Sequence, residues 1–337
     1  MGKASRREAR ERLKQERLKQ QQREKRNRLL AIIGAAVVVV ALVVGGGYLY
    51  MTAQGRAAEE WNGALAPQIL QDDGSVVMAQ EGASAPVVEV YADFQCPACR
   101  QFETINADTL KQLAAEGEAI VHYRPVSIFA QQSDPISTNS LRGGAAARAA
   151  ADYGRFVQYN DVLFENQPRE GQPGFSVDDL KSWGEEVGIT DAGFGERVDA
   201  ENRVVERFVG EYYPQLSEKG QAEIPEEELA TMTLPDLMAW GDDNGVDGSF
   251  LDGTYVGELL DATAAVNARY PSGDNRFTGT PSIYIDGTLQ GNDVYRVNGL
   301  TRAVEEAEPG QVDTKPLSAD DSAPPSPTAA EPSSGKE

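Results

Sequence analysis

The chain has 337 residues, a formal net charge of −22 at pH 7, two cysteines and one histidine. Its acidic bulk would repel phosphate backbones, which argues against nucleic-acid binding. Two cysteines and one histidine fall short of the four ligands that a closed zinc site draws from such residues, and neither a metal nor a bound cofactor is expected.

Charge is unevenly placed along the chain. Residues 1–28 carry 12 Lys/Arg and 4 Asp/Glu, whereas residues 52–337 carry 19 and 49. Between them Leu29–Met51 form 23 uncharged, mostly apolar positions, which as a helix span about 34 Å, enough for one membrane crossing. The positive-inside rule puts the basic N-terminus in the cytoplasm and everything after Met51 outside. A cleavable signal peptide would have a shorter apolar core, about 7–15 residues, and a small-x-small cleavage site. Thr52-Ala53-Gln54-Gly55-Arg56 matches that poorly. The expectation is a single-pass signal anchor at the cell membrane, Tyr48 and Tyr50 at its outer interface, a tether over 52–64 and an extracytoplasmic domain. In that compartment disulfides persist.

The folded part, about residues 65–308, opens with strands at Gln68–Gln71 and Ser75–Ala79 around an Asp73-Gly74 turn. Val87–Tyr91 reads as a strand, Arg100–Ala115 as an amphipathic helix and Ala119–Val126 as the next strand. That is a β-α-β unit, whose parallel strands require the helical crossover. From about 133 to 275 the pattern is helical: Ala145–Ala151 has high helix propensity, and Phe156, Tyr159, Val162 and Leu163 follow at helical spacing. Asp179–Ile189 is echoed 57 residues later by Asp236–Val246; duplication and shared helix-ending grammar explain this equally well. A strand at Ser282–Ile285, a turn at Asp286-Gly287, a weaker strand near Val294–Val297 and a helix from Leu300 to about Glu306, capped by Asn298, complete the domain. Residues 309–337, rich in Pro, Ser and acidic residues, have too little apolar surface to offset ordering entropy and are expected to form a disordered tail.

The most informative element is Cys96-Pro97-Ala98-Cys99, which holds both cysteines at the seam between a strand and a helix. The N–H groups of a helix start favour a thiolate, so the first cysteine is expected to be the more acidic. The second, one turn on, can attack a mixed disulfide and release the product. A structural staple would gain little here. A four-residue loop contributes roughly 2 kcal/mol, against nearly 5 for a loop of about 100 residues. His122, mid-strand beside Val121 and Tyr123, reads as a structural position. Asp93 and Glu89, just upstream of the cysteines, are candidates for a carboxylate that shuttles the Cys99 proton.

Three segments in order resemble the DsbA-like group of thioredoxin-fold proteins: Glu89–Cys99 with its Asp-Phe approach to Cys-Pro-x-Cys, Ala149–Phe156 through Asp161–Gln167, and Gly279-Thr280-Pro281–Gly287. The resemblance implies an α/β thioredoxin fold with a large helical insertion. It also implies Cys96 as exposed nucleophile, Cys99 as buried resolving thiol, Pro97 and Ala98 as the active-site dipeptide and Pro281 as a cis-proline beside them. The Thr280 backbone would then face an extended substrate segment. The implied partners are unfolded secreted proteins and a quinone-linked membrane reoxidase of the DsbB or VKOR type. Two departures stand out. Ala98 replaces the histidine of strongly oxidising members, which implies a milder oxidant. About 65 residues near 210–275 stand where a short connection is expected. Within the same fold a reductase or isomerase, or a non-catalytic binding scaffold, are the rival readings.

Overall fold

A computed structural model of the chain describes residues 61–310. The basic segment, the apolar 29–51 stretch, most of the tether and the tail from 311 lie outside the described residues. Among the described residues no helix is long and apolar enough to cross a membrane.

Strands β1 (Gln68–Leu70) and β2 (Val76–Met78) pair antiparallel. Gly74 (φ +77) makes the turn between them, and the Ser75 N–H donates to Asp73 Oδ1. Strands β3 (Val87–Ala92) and β4 (Ile120–Pro125) run parallel, joined by helix α1 (Pro97–Glu116) as the sequence predicts. Strand β5 (Ser282–Ile285) lies antiparallel on the other side of β3, and β6 (Thr288–Leu289) closes the edge. The sheet order β1-β2-β4-β3-β5-β6 therefore centres on β3, the strand that delivers the cysteines.

Strand side chains alternate between faces. Val88, Val90, Val121, Tyr123 and Ile283 share one buried cluster with Phe102, Leu110 and Leu113 of α1. The opposite face carries Tyr91 and Tyr284, packed on Val266 and Tyr270. Each fully buried side chain of this size contributes about 1.5–3 kcal/mol.

The expected helical block is present as α2 (Ile136–Ala151), α3 (Phe156–Glu165), α4 (Val177–Glu186), α5 (Ala192–Arg207), α6 (Tyr213–Glu223), the short α7 (Glu226–Leu229), α8 (Leu234–Asp243) and α9 (Tyr255–Arg269). A π-helical turn, Phe208–Tyr212, links α5 to α6. The small residues of α2 serve close packing as well as propensity. A Cβ at Gly143 would meet that of Phe94 at 2.7 Å, and one at Gly144 would meet Leu259 at 2.3 Å. The 57-residue echo is also structural. Helices α4 and α8 start on Ser176 and Thr233 hydroxyls that accept from Asp179 and Asp236 N–H groups. They end before Gly188 and Gly245 in the same left-handed conformation (φ +86 and +83).

Three expectations are corrected. The helix begins at Pro97, not Arg100, which makes Cys96 its N-cap residue. Asn292–Tyr295 form a 3-10 turn where a strand near Val294–Val297 is expected, because β6 follows the Asp286-Gly287 turn directly and Val294 is drawn into the core. The last helix, α10 (Gly299–Glu305), has Asn298 at its N-cap position, but at φ +62 its side chain makes no capping bond.

Candidate functional site

Helix α1 starts where β3 ends, and the cysteines sit on that junction. Cys96 has extended backbone (φ −78, ψ 117), its N–H donates to the Asp93 carbonyl at 2.9 Å, and Pro97 opens the first helical turn. Proline suits that place because the donor it removes would be unpaired there. The Cys96 carbonyl accepts from the N–H groups of Cys99 (3.1 Å) and Arg100 (3.2 Å). It also accepts from Gln167 Nε2 at 2.9 Å, and the same amide donates to the Phe94 carbonyl at 2.8 Å. Ala98 is half-buried and Pro97 exposed beside the thiols.

The strand β5 entrance lies over this junction. The Thr280–Pro281 peptide bond is cis, as the resemblance implies. The Cys96 thiol donates to the Thr280 carbonyl at 3.2 Å. Tyr295 donates its hydroxyl to the Pro281 carbonyl at 2.9 Å and packs edge-on against Phe102 of α1. Cys96 is consequently not exposed as expected. It is 5 % exposed and Cys99 fully buried.

The two thiols are driven apart in acidity. Cys96 is held below the usual thiol range first by the Cys99 thiol beside it, then by Thr280 and the Cys99 backbone N–H, against the opposing effect of burial. Burial pushes Cys99 well up, and the Cys96 sulfur pushes it further. The neighbouring thiol is thus the first source of Cys96 acidity, ahead of the Cys99 N–H at the helix start.

The upstream carboxylates separate into different roles. Asp93 is fully buried at the Cys end of β3, and burial raises it to about 6. Its Oδ1 accepts from the Gln95 N–H at 2.8 Å, and its Oδ2 from Ser140 Oγ (2.8 Å) and the Phe129 N–H (3.3 Å). Asp93 also bears electrostatically on Cys96. Glu89 is not brought to the thiols. It alternates onto the sheet face away from α1, where Arg124 Nε donates to it at 2.8 Å and the Tyr270 hydroxyl at 2.8 Å. His122 is structural, as read from its strand position. It is buried, its Nε2 lies 2.7 Å from the Ser75 hydroxyl, and burial with Arg124 holds it well below its usual pKa. Gln167, Tyr295 and Ser140 are the site-shaping residues that sequence reasoning misses. Each reaches a backbone or buried group far away in the chain, and no local pattern marks that.

Among the described residues no cluster of His, Cys, Asp and Glu could hold a metal ion. The residues present offer a dithiol, an acidified thiol, a buried partner and a carboxylate able to take up a proton near neutral pH.

The family model described as thioredoxin matches residues 73–212. No curated protein matches the chain. Among solved structures, the MdbA thiol-disulfide oxidoreductase of Actinomyces oris is similar at 16 % identity (TM-score 0.45), over 74 % of this chain and 93 % of that one. The MdbA protein of Corynebacterium diphtheriae is similar at 15 % (TM-score 0.42; 72 % and 96 %), and DsbA of Mycobacterium tuberculosis at 19 % (TM-score 0.42; 72 % and 98 %). The family match and the geometry agree on one conclusion: the chain carries a thioredoxin-like domain with an intact Cys-x-x-Cys pair, an arrangement equipped for dithiol–disulfide exchange.

Proposed function

We propose that this protein is a membrane-anchored, extracytoplasmic thiol:disulfide oxidoreductase that introduces disulfides into secreted or envelope proteins. The observation that carries the reading is geometric: Cys96 caps the start of α1 with its thiol on the carbonyl of Thr280, beside cis-Pro281, and Cys99 lies fully buried one turn on. The lowered Cys96 and raised Cys99 agree with it.

A substrate thiolate attacks Cys96 Sγ of the oxidised pair. The Cys96–Cys99 bond breaks, and Cys99 leaves as a thiolate that takes up a proton, with Asp93 as the nearby buried proton donor. A second substrate thiolate then attacks its own sulfur in the mixed disulfide and expels Cys96 as a thiolate. The substrate gains a disulfide, and two electrons rest on the enzyme dithiol. Because Cys96 is the more stable thiolate, it is the better leaving group and the reduced enzyme is favoured, which is the property of an oxidant. Reoxidation by a quinone-linked membrane protein of the DsbB or VKOR type would return those electrons to the membrane. An anchor at 29–51 would keep the domain beside it.

The test is a Cys99→Ala variant incubated with a reduced, unfolded secreted protein after activation of Cys96 as a mixed disulfide with glutathione. The expected result is transfer of Cys96 into a stable covalent complex, absent in Cys96→Ser. Failure to exchange, with the wild type equally inert, would leave the non-catalytic scaffold as the better reading.

A further inference from the structure

The thioredoxin family match ends at Tyr212, yet the chain continues into α6 and α8 before returning to the sheet. Helix α6 is firmly seated. Leu216 is fully buried, and a Cβ at Gly241 of α8 would meet its Cδ1 at 2.4 Å. The face of α6 turned from α8 forms one wall of a groove of about 450 Å³. The opposite wall is the segment Ala130–Ser137, which follows β4.

That wall is tied to the thiol site at both ends. Phe129, just before it, donates its N–H to Asp93 Oδ2, and Ser140, one turn beyond it, donates its hydroxyl to the same oxygen. Both residues that flank this wall are therefore bonded to Asp93, three positions before Cys96. Its lining is mostly apolar, with Ala130, Val209, Tyr213 and Pro214 contributing; Asp134 and Glu218 are its only charged residues, and no Lys or Arg lines it. Thr138 donates to Asp134 Oδ1, and the exposed Asp134 also interacts electrostatically with the half-buried Arg142. The buried Ser137 hydroxyl has no hydrogen-bond partner among the described residues.

We propose that this groove is a second substrate-binding surface, which takes an extended, lysine- or arginine-bearing stretch of the polypeptide whose thiol reacts at Cys96. This rests on the oxidoreductase reading. Amides and hydroxyls along the groove suit the backbone of an extended chain, and Asp134 and Glu218 suit its cations. The contact is one that a small thiol such as glutathione does not make.

The test uses two dithiol peptides that differ only in carrying lysines or glutamates beside the cysteine, with glutathione as the small control. The lysine peptide is expected to show a KM about fivefold lower, the order of two exposed ion pairs. Asp134→Asn/Glu218→Gln should abolish that difference while leaving kcat and the glutathione rate unchanged. Glu185→Gln/Glu186→Gln, which removes the same charge from exposed positions on α4, should retain it. Equal KM values for the two peptides, or equal losses in both double variants, would overturn the groove. A thiol-free lysine peptide, read by fluorescence anisotropy, separates the two proposals. Charge-selective binding without any exchange would overturn the oxidoreductase reading alone, and exchange without charge-selective binding would overturn the groove alone.

Discussion

Gln167 donates its side-chain amide to the carbonyl of Cys96 at 2.9 Å, across 71 residues of chain. Its second bond, to the Phe94 carbonyl, fixes the approach to the cysteine from the other side. The end of α3 thereby holds the start of α1, and the helical insertion becomes part of the redox site's scaffold. Replacing Gln167 with Ala leaves two carbonyls of a buried loop without this donor, which costs about 1–3 kcal/mol. Urea unfolding at neutral pH should show that loss. A change below about 0.5 kcal/mol would mean that the clamp does not hold the loop.

Cys99 is the leading source of Cys96 acidity. In Cys99→Ala the Cys96 pKa should therefore rise toward that of an ordinary thiol, near 8.5. Ultraviolet absorbance of the thiolate, followed against pH, reads this directly. An unchanged pKa would return the helix terminus to first place.

Asp93 titrates at about 6 in the fold, against 3.8 for the free side chain. The native state therefore binds the extra proton between those values. The stability that this proton brings is full below pH 3.8 and is lost as pH rises through 6. Asp93→Asn should flatten this part of the stability profile and remove an inflection near pH 6 from the exchange rate. If Asp93 relays the Cys99 proton as proposed, that step should slow by about tenfold or more at pH 7 in the variant. A variant with the wild-type pH profile would exclude Asp93 from the proton path.

Glu103, one turn after Cys99 on α1, is buried beside Asn160 and Asp161 of α3, and burial raises its carboxyl from 4.5 to about 8. By the same sign, stability should fall as pH rises through that window, by up to about 4–5 kcal/mol at 1.4 kcal/mol per unit. Glu103→Gln should lose most of that dependence. Denaturation midpoints at pH 5 and pH 9 for both proteins provide the check, and parallel losses would contradict it.

The parts of the fold legible in the sequence are those with local signatures. The Asp73-Gly74 turn, the Cys-Pro-x-Cys junction and the Gly-Thr-Pro strand each declare themselves within a dozen residues, the β-α-β unit over consecutive segments of Val87–Pro125, and all are present. Glu89 misleads because nearness in sequence does not fix the face of a strand. Val88 and Val90 point toward α1, so Glu89 between them points away, to Arg124 and Tyr270. Gln167 and Tyr295 are invisible to such reading because each acts on a backbone carbonyl delivered by another element. The Cys96 thiol is expected to be exposed and is instead covered, since only the folded chain brings Thr280-Pro281 over it.

The most direct test is the reduction potential of the Cys96–Cys99 pair, measured in glutathione buffers with thiol trapping on a fragment of about residues 58–308. An acidified Cys96 beside a buried Cys99 predicts an oxidant, with a potential near or above about −180 mV. A potential near about −270 mV would make the protein a reductase and contradict the proposed direction of electron flow.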